Sequence, residues 1–333
     1  MVEGKYYYYD HKEKDLCIKS EEDIYEMLLN GVYEGSHSCD EMIPPFKKAI
    51  NKYNNWSEYI EILCKYIKKG ALKRFGNSLF LDDKSEKDLM KELLWFNSDY
   101  NKDSFCRYTS AKSFFLSLEG KFRLSSSEAM NDELETKVIN DYDNLKLTSD
   151  YLASHLYNGF FMCFSADTRC DKLFNWYMYG DRARGVCFEI EPNDSENKEC
   201  FFAPVVYITK KKDNDRHDLL SFLNDLVGWN IDGKYKFELR NWHFWKFFFK
   251  YDFYKEEEEI RLLIIQKKDG KFERSEEYGG VYQYIERDLN ELPFTINRVV
   301  LGPKCTSNQL LKHYIYDRLS TYCLEKSEIC GYR

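Results

Sequence analysis

Apolar residues keep one period up to about Tyr100 and another beyond it, and this change limits the fold more than any other feature of the chain. Before it they recur three and four apart, as in Ile24, Met27 and Leu28 and again in Ile60, Leu63, Cys64 and Ile67, which is the repeat of a helix face. Ser57 stands where it can cap the second of these helices and Gly70 where it can end it. Ser85 with Asp88 reads as a capping box ahead of Leu89, Met90, Leu93 and Leu94. Beyond a polar linker at 97–104, strand-like runs follow at 105–109, 121–125, 160–165, 185–191, 203–209, 260–266 and 297–301. Helices are expected over 111–118 and 219–227, and a closing one through Leu311, Ile315, Leu319 and Tyr322 after a Thr306-Ser307 cap. Strands and helices do not alternate strictly, so the expected class is α+β with a mixed β-sheet core. The expected domains are a helical N-terminal region, 1–101, and an α+β domain, 102–333.

Composition narrows the functional classes. The 333 residues are 43% hydrophobic and 17% aromatic, enough apolar surface for sizeable cores. A net charge of −8 argues against general affinity for phosphate backbones, which rests on clustered lysine and arginine. The polar, tyrosine-rich start does not read as a secretory signal, and 151–166 is too short and polar to span a membrane. Eleven cysteines without a CxxC pair read as reduced thiols of a cytoplasmic protein. With six scattered histidines and no HExxH, no metal is expected.

Four segments can carry chemistry. Phe105-Cys106-Arg107-Tyr108-Thr109-Ser110 delivers a cation and an aromatic ring on a strand just before a helix, and Phe122-Arg123-Leu124-Ser125-Ser126 follows. The polar loop 125–135 contains Asn131-Asp132, a pair suited to turning the chain and capping a helix. Trp176, Tyr177 and Tyr179 precede Gly180-Asp181, either as an aromatic wall or as core. The run Lys255-Glu256-Glu257-Glu258-Glu259 feeds four acids into an apolar strand. A strand beginning Glu257-x-Glu259-x-Arg261 sets both carboxylates on one face about 7 Å apart, able to stabilise a developing positive sugar centre.

Taken in order, several short motifs resemble the bacterial family called domain of unknown function 2971. They are Tyr108-Thr109-Ser110, Asn131-Asp132 with Glu135, Cys163-Phe164-Ser165, Trp176 with Tyr179-Gly180, Gly185-Val186-Cys187, the triplet Glu257, Glu259 and Arg261, and Val299-Val300-Leu301-Gly302-Pro303. The resemblance runs from Phe105 to Pro303 and leaves the residues before about 101 outside it. The same order is similar to the ADP-ribosyltransferase layout, and that likeness implies both the fold and a site for NAD. Arg107 would hold the ribose or phosphate of NAD, Ser125 or Ser126 would support the site, and Glu259 would act on the nicotinamide ribose. Glu257 would position an acceptor. Tyr108, Trp176 or Tyr179 would pack the nicotinamide and Arg107 or Arg184 the pyrophosphate, with Thr109, Asn131 and Arg261 completing the binding set.

The implied reaction transfers ADP-ribose to a protein or nucleic-acid acceptor, as in a toxin or an antiviral defence effector, without a metal or a histidine. Water as acceptor would make the chain an NAD glycohydrolase. A non-catalytic nucleotide-sensing module, signalling to a partner protein through the N-terminal helices, is a third reading. A metal-dependent nuclease built on Asp132, Glu189 and Glu257 fits less well, because the spacing matches no nuclease motif and the chain is acidic.

Overall fold

The computed structural model describes residues 6–10, 15–19, 57–68, 71–75, 77–100, 103–126, 157–167, 169–193, 200–209, 218–228, 230–231, 235–267, 273–277, 280–306, 309–319 and 323–329. The chain divides into two compact units, one of Met1–Asn97, Thr136–Tyr157 and Lys210–Phe249, the other of Ser98–Glu135, Asn158–Thr209 and Lys250–Arg333. The division after Asn97 lies close to the expected boundary at 101, but two later segments also belong to the first unit.

In the first unit, β1 (Tyr6–Asp10) and β2 (Asp15–Lys19) form an antiparallel hairpin. Helix α1 (Ser57–Lys68) buries Leu63 and Ile67, as its period predicts. Strands β3 (Leu72–Phe75) and β4 (Ser78–Leu81) lead into α2 (Asp83–Phe96), which buries Leu89, Met90, Leu93 and Leu94. The cap of α2 is Asp82, whose side chain accepts from the Ser85 N–H at 2.9 Å, rather than Ser85 itself. The region expected to be helical thus also carries strands, each of four or five residues and too brief to set a clear alternation. The part of that expectation resting on Ile24, Met27, Leu28 and Gly70 lies outside the described residues.

Helix α5 (Leu219–Gly228) and strands β11 (Asn230–Ile231) and β12 (Tyr235–Phe237) complete this unit's four-stranded sheet, ordered β11-β12-β4-β3, and the single turn α6 (Trp242–Trp245) follows. Glu86, 1% exposed, accepts the backbone N–H groups of Arg240 and Asn241 and the Trp245 indole N–H. Donors that burial would otherwise orphan are satisfied by one carboxylate.

The second unit is a mixed α+β body around a large mixed sheet, ten-stranded among the described residues. Its first elements are β5 (Phe105–Thr109), α3 (Ala111–Leu118), β6 (Phe122–Ser126), β7 (Tyr157–Ser165), α4 (Leu173–Met178), β8 (Val186–Pro192) and β9 (Cys200–Pro204). Later come β14 (Glu259–Lys267), β15 (Glu273–Glu277), β16 (Gly280–Arg287), β17 (Phe294–Leu301), α7 (Gln309–Arg318) and β18 (Cys323–Lys326). A strand, not the expected helix, is therefore the last described element. The strand order is β15-β16-β6-β7-β5-β8-β17-β18, with β14 pairing to both β7 and β9. Strand β17 runs antiparallel to β8 and parallel to β18. Separately, β10 (Val206–Ile208) pairs with β13 (Phe249–Tyr251).

Phenylalanine dominates the packing of this sheet. Phe122, Phe164 and Phe202 each contact Phe294, at 5.8, 5.8 and 6.3 Å between centroids, in edge arrangements favoured by the ring quadrupole. Strand β7 meets β6 along Phe160 and Phe161, β5 at Ser165, and β14 as well. This branching brings Cys163, on β7, to the first residues of β14, where the acidic run ends.

Candidate functional site

The acidic run enters β14 through a reversal. Residues Asp252–Glu257 form a 3-10 turn, Glu258 takes a left-handed conformation at φ 47°, and the strand begins at Glu259. The expected strand from Glu257 thus starts two residues later. A left-handed residue breaks the extended repeat, so strand alternation does not relate Glu257 to Glu259. A single cation relates them instead. Lys250, on β13, sets its Nζ 2.8 Å from Glu257 Oε2 and 2.7 Å from Glu259 Oε2, with its side chain only 3% exposed.

From Glu259 onward the strand pattern holds. Arg261, two residues further along the same face, donates from Nε to Glu259 Oε1 at 2.7 Å and from Nη2 to Oε2 at 3.0 Å. Such a two-pronged pairing suits the guanidinium fork and fixes the plane of the carboxylate. The backbone N–H of Glu259 donates to the Tyr207 hydroxyl at 2.9 Å, so the residue is held from main chain and side chain together.

Burial opposes the charge on Glu259, but Arg261 and Lys250, with hydrogen bonds from Arg261 and Cys163, outweigh it and hold the carboxyl down to about 2. Desolvation, then the Glu259 carboxylate, push the Cys163 thiol up to about 12, so this sulfur stays protonated and acts as a donor. Lys250, Arg261, Glu257 and Glu259 together carry two charges of each sign. A buried group of this kind is stable only when its members are present together.

The more open side of the cluster is formed by Glu257 and Tyr179. The Tyr179 hydroxyl donates to Glu257 Oε1 at 2.6 Å, and burial followed by that carboxylate raise the phenol well above its ordinary range. Tyr179, at 45% exposure, follows α4, which also leaves Tyr177 and Met178 open to solvent. Lys172, just before α4, reaches across to the acidic turn. Its Nζ donates to the Glu256 carbonyl at 2.6 Å and lies 3.3 Å from Glu258 Oε2.

Behind α4 lies an apolar cluster of Cys106, Tyr108, Cys170, Trp176, Ala183, Cys187 and Val300. Tyr108 and Trp176 meet edge to face at 4.9 Å, with 7% and 0% of their surfaces exposed. The Tyr108 hydroxyl donates to Asp167 Oδ2 and accepts from the Lys172 N–H, while the Trp176 indole donates to Asp171 Oδ1. Both rings are therefore core residues with satisfied polar tips, and neither offers a free face for a ligand ring. Cys106 and Cys170 form a disulfide with Cα atoms 5.5 Å apart, which corrects the reading of every cysteine as a reduced thiol. The two are separated by 64 residues, and only the sheet topology brings them together.

Of the residues expected in the site, Glu257, Glu259, Arg261 and Tyr179 come together. Arg107 is half-buried and donates to the Cys163 carbonyl at 2.6 Å, a strand-to-strand tie. Thr109 ends β5 against Gly185, and Ser125 is exposed on β6 opposite Phe161. Arg184 is exposed and pairs with Asp181 at 3.1 Å. Asn131 lies outside the described residues, as do Asp132 and Glu135. The sequence reading missed Lys250. A lysine inside the aromatic run Phe247-Phe248-Phe249-Lys250-Tyr251 was the available signal, since a cation in a buried strand requires a partner.

The fold and this cluster define a mixed α+β protein with a buried acid and base quartet at the start of a central strand. Comparison with protein-family models, with curated proteins and with solved structures matched the chain to none of them. Among the described residues, no helix is long and apolar enough to cross a membrane.

Proposed function

We propose that the chain is an ADP-ribosyltransferase-like enzyme, related to the domain of unknown function 2971 family, that cleaves the nicotinamide–ribose bond of NAD and passes ADP-ribose to a macromolecular acceptor. The observation that supports this reading is the pair of carboxylates, Glu257 and Glu259, held on one ammonium beside the half-exposed ring of Tyr179. The ring nitrogen of the bound nicotinamide carries a positive charge, so the bond electrons leave with a neutral group and no acid is required. Positive charge then develops on the ribose, where a fixed carboxylate is most effective.

Both oxygens of Glu259 already accept from Arg261 and Lys250, which suits it to anchoring. Glu257, whose side chain is 14% exposed against 6% for Glu259, is the carboxylate able to meet the ribose or to take the proton of an acceptor. Tyr179 and Tyr177 would supply the aromatic shelf. Action as a toxin or an antiviral effector in the cytoplasm is the biological setting this reaction suits.

The test is nicotinamide release from NAD by the purified protein, alone and with a cell lysate as a source of acceptors. Glu257→Gln should lower release about a hundredfold or more and cost less stability than Glu259→Gln, because Lys250 keeps its pairing with the more deeply buried Glu259, whereas Glu259→Gln should lose both activity and stability. Release that needs the lysate identifies a transferase, and release in buffer alone an NAD glycohydrolase. The saturated oxygens of Glu259 favour one other reading, a nucleotide-sensing module, for which NAD would bind to both variants and wild type without release.

A further inference from the structure

The disulfide joins strand β5, through Cys106, to the loop before α4, through Cys170, and both sulfurs are fully buried. Cys170 holds a left-handed backbone at φ 55°, a conformation that costs any residue with a Cβ and persists only while neighbouring contacts enforce it. The same short loop makes three attachments. Asp167 holds Tyr108 on β5, Asp171 accepts from Trp176, from Ser327 Oγ at 2.5 Å and from the Glu328 N–H at 2.8 Å, and Lys172 holds the carbonyl of Glu256 and the carboxylate of Glu258. The covalent link is thus two residues from the lysine that grips the acidic turn carrying Glu257.

We propose that the Cys106–Cys170 disulfide is a redox lock on the acidic turn, opened by a dithiol or phosphine reductant. In the opening step two electrons pass to the sulfur–sulfur bond, which breaks, and two protons complete the thiols. A dithiol is converted to its own disulfide, or a phosphine with water to its oxide. Without the bond, the left-handed residue relaxes and Lys172 keeps only hydrogen-bonded anchors, its N–H on the Tyr108 hydroxyl and the contacts of neighbouring Asp171. The turn has a second support that does not pass through the disulfide, the Ala166 N–H donating to the Glu258 carbonyl at 2.7 Å, so opening loosens the turn without detaching it.

A third sulfur stands in the same cluster. The Cys187 sulfur lies within 4.8 Å of the other two, yet burial, and then the Asp167 carboxylate, push its thiol well above its ordinary range. Thiolate is the attacking species in exchange, so Cys187 does not displace the bond from within, and the reductant must come from outside. Three sulfurs at this spacing also suit a thiophilic cation, but the pocket is apolar and bordered by Asp167 and Asp171, which disfavours a further anionic cluster. The neutral pairing is the state the surroundings accept.

The experiment is hydrogen exchange on the whole protein, oxidised and after incubation with a phosphine under native conditions, with Cys106→Ser as an uncrosslinked control and Cys187→Ser as a cluster control. Peptides covering 166–173 and 254–260 should both exchange about tenfold faster in the reduced protein and in Cys106→Ser, while oxidised Cys187→Ser keeps the wild-type protection. Chemical reduction of the wild type keeps the test intact if Cys106→Ser does not fold. The proposal is overturned by faster exchange in 166–173 alone, by a bond that resists native reduction, or by peptide mapping that finds no disulfide. It is equally overturned by a cobalt–thiolate absorption band on adding Co2+ to the untreated protein. None of these readouts depends on NAD, so failure of the enzymatic reading leaves the result interpretable.

Discussion

Lys250 decides the character of the site. It is the cation shared by both carboxylates, and it is buried with them, so its removal leaves charge that the surroundings cannot solvate. Lys250→Met should destabilise the protein by about 3–5 kcal/mol, read as a lowered midpoint of denaturant unfolding, and a midpoint within error of wild type would contradict the assigned pairing. Acid acts on the same group. The Glu259 carboxyl is held below its ordinary 4.5, so it binds a proton more readily in the unfolded chain than in the folded one. Its contribution is present above 4.5 and is lost as the pH falls from there towards about 2. Glu86 in the other unit has the opposite sign, since burial raises its carboxyl despite the three N–H donors, and its contribution is lost as the pH rises. The measurement is therefore the difference in unfolding stability between wild type and Glu259→Gln across that window. The difference should shrink with acid, and one that stays flat would remove Glu259 as the titrating group.

At the scale of elements, the site depends on how α4 joins β8. Between them Asp181, Arg182 and Ala183 all adopt positive φ, of 49°, 53° and 70°, a left-handed turn that none of these side chains favours. Backbone hydrogen bonds hold it closed, from the Ala183 N–H to the Trp176 carbonyl and from the Gly185 N–H to the Gly180 carbonyl, each at 2.9 Å. Gly185 also lies against the Thr109 carbonyl so closely that a Cβ would overlap backbone on both β5 and the turn. Gly185→Ala should cost about 1–3 kcal/mol or more, because main chain must move rather than a flexible side chain. Thermal unfolding is the check, and a variant as stable as wild type would mean that the turn is looser than drawn. The sequence pair Gly185-Val186 read correctly as the start of a strand, but the strained turn before it was not legible. A run of three left-handed residues without glycine has no compositional signature.

For the whole molecule, charge makes the plainest prediction. With a net charge of −8 and, among the described residues, cations in local pairs such as Arg298 with Glu189 and Arg123 with Glu286, the protein should show no general affinity for duplex DNA at physiological salt. A filter-binding or gel-shift titration measures this, and retention that weakens steeply with added salt would reveal a basic surface that the net charge hides. Two units each bury their own apolar residues, and the chain passes between them more than once. A periodicity reading divides a chain at one point and has no means of returning a later segment to an earlier unit, which is why 210–249 read as part of the α+β domain.

Local periodicity determined a good deal by itself. It set the positions of α1, α3, α5, β5, β6 and β17 to within a few residues, because burial of one face imposes a repeat that any chain must display. It also singled out Glu259 and Arg261 as neighbours on one strand face, a relation of near residues that strand geometry guarantees. Tertiary structure alone decided what those residues meet. Lys250 arrives from β13, Cys163 from β7 and Tyr179 from the end of α4, and the Cys106–Cys170 bond spans 64 residues. Contacts between segments far apart in the chain depend on strand order, and strand order is set by the packing of the whole sheet rather than by any short stretch of sequence.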